Sequence, residues 1–387
     1  MMVAANGDTD PDVGTVDVLV VGAGPAGAAT AVACRRLGLS VALVHRPGAG
    51  VGNGAGTRPV EHVPSSVRQP LTDLGLWDGF AAADHTPCAA AYTAWGNDDL
   101  SWGDDRPWTG QPAAEQGWLV ERRRFARWLR QAALDTGATL HSATSHPLAE
   151  GLGFSRPRRP PTGRFTVDAT GRRGRLAERF GARRRPADEL LAFTTTLQPG
   201  EHRLEAAPVV LMEAVRTGWW HTAPAPGGRL VATFVTDPAV ARLSARPAEQ
   251  VWAGALAASS HTGARLHHHR RDGRPLDLLP TGVAALDRAA GHRWLAVGDA
   301  ALALDPLGGA GVDQALQGGL AAARAIAASL LAGDPTASAR YDADVQARLR
   351  YHLEARRRIY EGERRWPAAT FWRHRTTVSG QRAGCAA

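Results

Sequence analysis

Near the start of the chain two short apolar blocks, Val18-Leu19-Val20-Val21 and Val41-Ala42-Leu43-Val44, flank a stretch in which small and apolar residues recur at helical spacing. An apolar block of this length bounded by glycine reads as a strand buried on both faces. The segment between them, residues 25–37, starts with proline and stops at Gly38, the residue type that most easily adopts the left-handed turn closing a helix. Strand, glycine-rich turn, helix and strand in about thirty residues make a βαβ unit and imply a parallel sheet.

Further along, residues 122–134 have the pattern of an amphipathic helix and Phe165-Thr166-Val167 that of a third strand. Between about 186 and 285 the pattern changes to alternating Thr-, Val- and Trp-containing runs, as in an antiparallel sheet. A buried strand returns at residues 294–297, followed by a long Ala-rich helix from Gly311 to about Leu331 and a basic, Trp-bearing helical tail. The expected fold class is α/β. A Rossmann-like lobe is drawn from residues 15–75, 118–185 and 286–335, and an inserted, mostly antiparallel substrate lobe from 76–117 and 186–285. A flexible tail (1–12) and a C-terminal helical segment (336–387) complete the layout.

Composition narrows the class. A chain of 387 residues, 44% hydrophobic and 21% charged, can bury a large core without disulfides or structural metal. Cys34, Cys88 and Cys385 are far apart, and the start of the chain is polar and acidic, so a cytoplasmic, reducing setting is expected rather than secretion or a membrane. The net charge is +8, carried entirely by arginine, because the chain contains no lysine. Its arginine clusters are interleaved with proline in loop-like stretches and accompany no nucleic-acid motif, so nucleic acid is not an expected partner. His267-His268-His269 lacks a spaced carboxylate, and no metal site is expected.

The chemistry is concentrated in glycine motifs. Gly22-Ala23-Gly24-Pro25-Ala26-Gly27 is a G-x-G-x-x-G placed between strand and helix. Its first glycine permits the tight turn, its second lets backbone approach a pyrophosphate, and its third lets the helix close on the sheet. Where an acid would hold ribose hydroxyls after the second strand, the chain has His45-Arg46, and Arg46 could stack on an adenine or reach a phosphate. A second cluster, Gly298-Asp299 and then Pro306-Leu307-Gly308-Gly309-Ala310-Gly311, opens the Ala-rich helix.

Together the two motifs resemble the FAD-binding fold shared by aromatic hydroxylases and flavin halogenases. The resemblance implies FAD held by Gly22, Gly24, Ala26, Gly27 and Arg46, with Asp299 of the Gly298-Asp299 pair on the ribityl chain. Pro306, Gly309, Ala310 and Gly311 would face the flavin's pyrimidine edge. Arg122, which opens an Arg-x-x-apolar segment, would contact the cofactor. Val167-Asp168-Ala169-Thr170-Gly171-Arg172 occupies the place of the family's pyridine-nucleotide fingerprint but departs from it, so electrons could come from NAD(P)H directly or through a flavin reductase. Gly218-Trp219-Trp220-His221-Thr222-Ala223-Pro224 stands where flavin halogenases carry W-x-W-x-I-P, with His221 replacing the second Trp. The halogenase mechanism also needs a lysine, which this chain lacks.

A narrower resemblance, to the halogenase-like monooxygenases that mature quinone cofactors by oxidising a tryptophan in a precursor protein, runs along nearly the whole chain. It rests on Glu61-His62-Val63-Pro64, Leu74-Gly75-Leu76-Trp77, Ala94-Trp95-Gly96, Gly117-Trp118-Leu119, the Gly-Trp-Trp segment and Glu363-Arg364-Arg365-Trp366-Pro367 in that order. Residues 141–165 are short for that group and suggest a reduced β-hairpin. The resemblance implies hydroxylation of an electron-rich aromatic ring, an indole, through a flavin C4a-hydroperoxide, with the substrate free, carrier-bound or within a peptide. His221 and Glu61 are the candidate proton-handling residues, structural hydrogen bonding being the equal alternative; His62, Trp219 and Trp220 are candidate substrate contacts. The tryptophans from Trp95 to Trp118 fit a pocket wall or core packing equally. A flavin oxidase or dehydrogenase that inserts no oxygen would use the same cofactor residues, and so would a halogenase.

Overall fold

The computed structural model describes residues 15–45, 60–102, 117–142, 161–200, 207–243 and 247–376. The expectations for the 1–12 tail, for Arg46 and for most of the shortened 141–165 hairpin lie outside the described residues.

The two apolar blocks form the strands Thr15–Val21 and Val41–His45, paired in parallel with Val18 opposite Val41. Thr162–Asp168 flanks the first strand on its other side, and Trp294–Ala296 extends the sheet in the same sense. Thr139–Ser142 and the antiparallel Ala290–Gly291 form the two edges of this six-stranded sheet. The helix Pro25–Arg36 follows the first strand, with Pro25 at its first position and Arg35 and Arg36 in its last turn. It packs against the helix Gly311–Leu330, where a methyl group on Gly319 would come within 2.7 Å of Ala29 Cβ. Small residues on both helices allow that approach.

The central stretch forms an eight-stranded sheet. Its core runs Leu191–Pro199, Arg229–Thr236, Gly218–Ala225 and Val209–Val215, each antiparallel to the next, and Ala90–Ala94 then pairs in parallel with Val209–Val215. Because side chains alternate along a strand, consecutive residues of Gly218–Ala225 serve different cores. Trp219 joins Leu190, Leu307, Tyr360 and Trp372 on the inner face, whereas Trp220 joins Phe234, Trp252 and Leu276 on the outer one.

A small sheet of Val60–Val63, Trp118–Glu121 and Thr86–Pro87 sits between the two layers. The helix Trp77–Ala82, placed by sequence at the start of the substrate lobe, packs on the parallel-sheet side: Phe80 shares the core of Leu71, Phe125 and Leu129. The C-terminal helices Ala337–Gly362 and Thr370–Thr376 cover both layers. Tyr341 donates to Ala296 O at 2.8 Å, and Ile359, Tyr360, Phe371 and Trp372 close over Trp219. Among the described residues no helix is long and apolar enough to cross a membrane.

Candidate functional site

The first glycine motif is shaped by close approach. Gly22 has φ +117°, and a methyl group there would lie 2.1 Å from Ala169 O, at the end of the neighbouring strand. One on Gly27 would meet Gly22 O at 1.9 Å, so the helix can close on the turn only without a side chain at that position. At Gly24 a methyl group would meet nothing within 4 Å, so the space in front of the helix is open. The helix has neither a side-chain cap nor an acid in its first turn. Its first N–H groups and positive dipole end therefore face that opening.

The second motif lies against the first. Gly298 has φ +59°, and a methyl group on it would approach Ala26 Cβ to 2.5 Å. Asp299, the next residue, makes no side-chain hydrogen bond among the described residues. Burial pushes its carboxyl above the ordinary range, against the pull of Arg172, Arg122 and Arg184. A half-buried, unsatisfied carboxyl is what a run of hydroxyl donors would complete. Two arginines that sequence reasoning missed hold the turn in place. Arg184 donates to Asp299 O at 3.2 Å and to Ala300 O, while Arg172 donates to Leu304 O at 2.7 Å and to Gly282 O. Arg184 belongs to no recognisable motif and Arg172 only ends the 167–172 segment, and their reach to backbone more than a hundred residues away has no local sequence signal.

The small sheet supplies the third wall. Glu61 pairs with Val120 across the strands, bringing the Glu61 carboxylate to Arg122 at 3.1 Å. A methyl group on Gly311 would sit 3.6 Å from Glu61 Oε1, and one on Gly309 would sit 3.8 Å from His62 Nδ1. The structure thus brings Glu61, His62, Arg122, Gly298, Asp299, Gly309 and Gly311 together around the start of the Gly311–Leu330 helix. Pro306 opens the turn that leads there, and Ala310 is the N-terminal flank of the helix. The sequence does not show the pairing of Glu61 with Arg122, because it depends on strand register between segments sixty residues apart.

His221 is half-buried and shares the inner face with Trp219 and Ala223. Trp219 packs with Leu307 of the turn, and Ala223 packs with Val60 and Leu119 of the small sheet. His221 lies between those two contacts and faces the same wall. The two indoles expected to contact substrate are placed otherwise. Both are 0% exposed. Trp219 donates to Tyr360 Oη at 3.2 Å and Trp220 to Ala255 O at 3.4 Å. The corrected role of Trp219 is to back the Leu307 turn, and that of Trp220 is to fill the outer core. Trp95 and Trp118 are likewise packed against other aromatic rings, Trp372 and Phe80 among them. Arg46 is outside the described residues.

These features define a dinucleotide-binding fold whose two glycine turns meet edge to edge beneath a β-sheet, and the residues present fit FAD. A family model described as tryptophan halogenase matches residues 103–382. The chain belongs to the tryptophan halogenase family. It is 26% identical over 374 residues to a protein of Marinomonas mediterranea described as the FAD-dependent oxidoreductase LodB, covering 94% of this chain and 97% of the relative. Among solved structures it is similar to the peptidyl tryptophan dihydroxylase QhpG, with a TM-score of 0.73, 23% identity and coverage of 96% of this chain and 81% of the other. The myxobacterial chondrochloren halogenase CndH superposes with a TM-score of 0.75 at 20% identity, over 95% of this chain and 87% of the other. The chain is an FAD-dependent enzyme.

Proposed function

We propose that this protein is an FAD-dependent monooxygenase that hydroxylates the indole ring of a tryptophan carried in a peptide or carrier protein. The observation that carries the proposal is the placing of His221, on the sheet face that packs against the second glycine turn, in a chain that contains no lysine. The likeness to QhpG, whose name states a peptidyl tryptophan substrate, supports the same reading.

FAD would be held by the backbone of Gly22 to Gly27, by Asp299 and by the start of the Gly311–Leu330 helix. When bound and reduced by NAD(P)H or a partner flavin reductase, it supplies the oxygen chemistry that an apolar ring requires. The protein's own groups then do three things. The Glu61 carboxylate holds the Arg122 guanidinium toward the cofactor. Trp219 and Leu307 close the rear of the turn with apolar surface and exclude water from it. His221, on the sheet face that meets the turn, takes the proton released at the substrate ring.

The test is incubation of FAD-loaded protein with a flavin reductase, NADH and tryptophan-containing peptides under labelled dioxygen. Label in the product supports oxygen insertion, and an oxidised product without label supports a flavin oxidase. The family match favours one other outcome, halogenation. With bromide present, a bromine isotope pair in the product would establish it and sink the hydroxylase reading.

A further inference from the structure

On the outer face of the eight-stranded sheet, away from the glycine turns, a cleft of about 390 Å³ opens between the sheet and the helix His261–Leu266. Tyr92 and Leu211 form its floor; they are cross-strand partners whose side chains share the face of Trp220, opposite His221. The helix wall contributes Ala264 and Arg265. His261, His268 and His269 complete the rim, and no carboxylate lines the cleft among the described residues.

Arg265 is the unexplained group. Its Nη2 donates to Val209 O at 2.7 Å, and among the described residues no acid forms an ion pair with it. Burial pulls its guanidinium down to about 10. The carboxylate that the neighbouring strand supplies, Glu213, is committed elsewhere. It accepts the backbone N–H groups of Ser260, His261 and Thr262 at 2.7, 3.1 and 2.6 Å and so anchors the start of the same helix. A guanidinium drawn out of water without a counter-ion is unfavourable, and such groups are ordinarily paired. His269 does not change the sign, because burial lowers its pKa and favours the neutral imidazole.

We propose that this cleft is a second ligand site, for a small organic acid with an apolar body: the body lies on Tyr92 and Leu211 and the carboxylate pairs with Arg265. The charge complementarity is specific, since the lining offers one permanent cation and no anion. Guanidinium and carboxylate also match as a forked pair of hydrogen bonds. The site lies across the sheet from the flavin turns and does not depend on which reaction they support.

The test uses full-length, FAD-loaded protein titrated calorimetrically with 1-naphthylacetate and with its uncharged amide. The acid is expected to bind at least about tenfold more tightly than the amide, the size of one charge-assisted hydrogen bond. Arg265→Met should erase that preference and Arg265→Lys should retain part of it. Ala264→Phe, which fills the cleft and leaves the charge, should abolish binding of both probes. An unchanged flavin spectrum reports that each variant is folded. Equal binding of acid and amide, no binding of either, or binding that survives both Arg265→Met and Ala264→Phe overturns the proposal.

Discussion

Arg356, on the long C-terminal helix, forms an ion pair with Asp305, the buried residue that opens the second glycine turn. The same guanidinium reaches Asp188, just before the chain enters the eight-stranded sheet at Leu191. Asp305 also accepts the Leu307 N–H, so the C-terminal helix is tied directly to the turn that would face a flavin. Removing the cation leaves the buried Asp305 carboxyl with only His352, at 3.6 Å, as an ion-pair partner among the described residues, and Asp188 with Arg375 at 4.0 Å. Arg356→Met is expected to cost about 3–5 kcal/mol of stability and to weaken FAD retention with it. Urea denaturation and flavin titration measure the two effects. A variant of unchanged stability would show the clamp to be incidental.

Acid should act on the same network. Arg356 holds the Asp305 carboxyl below its ordinary range despite complete burial. Asp237 is held down by its 2.9 Å contact with His374 Nδ1 and by Arg375, again against burial. A carboxyl whose folded pKa is depressed adds stability that is fully present above its unfolded value, about 4. That stability is lost as pH falls through the folded value. The urea midpoint of the native protein is therefore expected to fall steeply below about pH 4, and Asp237→Asn should flatten that fall. A midpoint that declines instead between pH 6 and 8 would point to histidine as the controlling group.

The second and third glycines of the first motif should separate folding from binding. A methyl group at Gly24 meets open space, and its φ of −77° suits any residue. Gly24→Ala should thus leave the stability of the FAD-free protein within about 0.5 kcal/mol while reducing FAD affinity at least about tenfold. Gly27→Ala, with its clash against Gly22 O, should lose both. If Gly24→Ala binds FAD normally, the open space is not where the pyrophosphate goes.

Glu61 and His221, the two candidate proton-handling residues, should differ in what they change. The Glu61–Arg122 pair has a half-exposed guanidinium (53%), so its loss should cost at most about 1 kcal/mol of stability. Glu61→Gln is expected to act through cofactor affinity. His221→Ala should keep FAD and lower product formation by about 10²- to 10⁴-fold. Comparing flavin affinity with product yield in both variants distinguishes the roles, and the opposite pattern would exchange them.

Both glycine motifs, the βαβ unit, the antiparallel insert and the long Ala-rich helix were legible in the sequence. Each is a local pattern: period-2 alternation, helical spacing or a turn that only glycine tolerates. Tertiary structure decided which segments met. Strand register joined Glu61 to Arg122, and pleat alternation sent Trp219 and Trp220 to opposite cores instead of to a substrate. Arg172 and Arg184 became parts of the site by reaching across more than a hundred residues, and Arg356 by reaching back about fifty to Asp305. A side chain's periodicity records which face it takes, but its partner depends on which elements the whole core packs together, and no single segment carries that information.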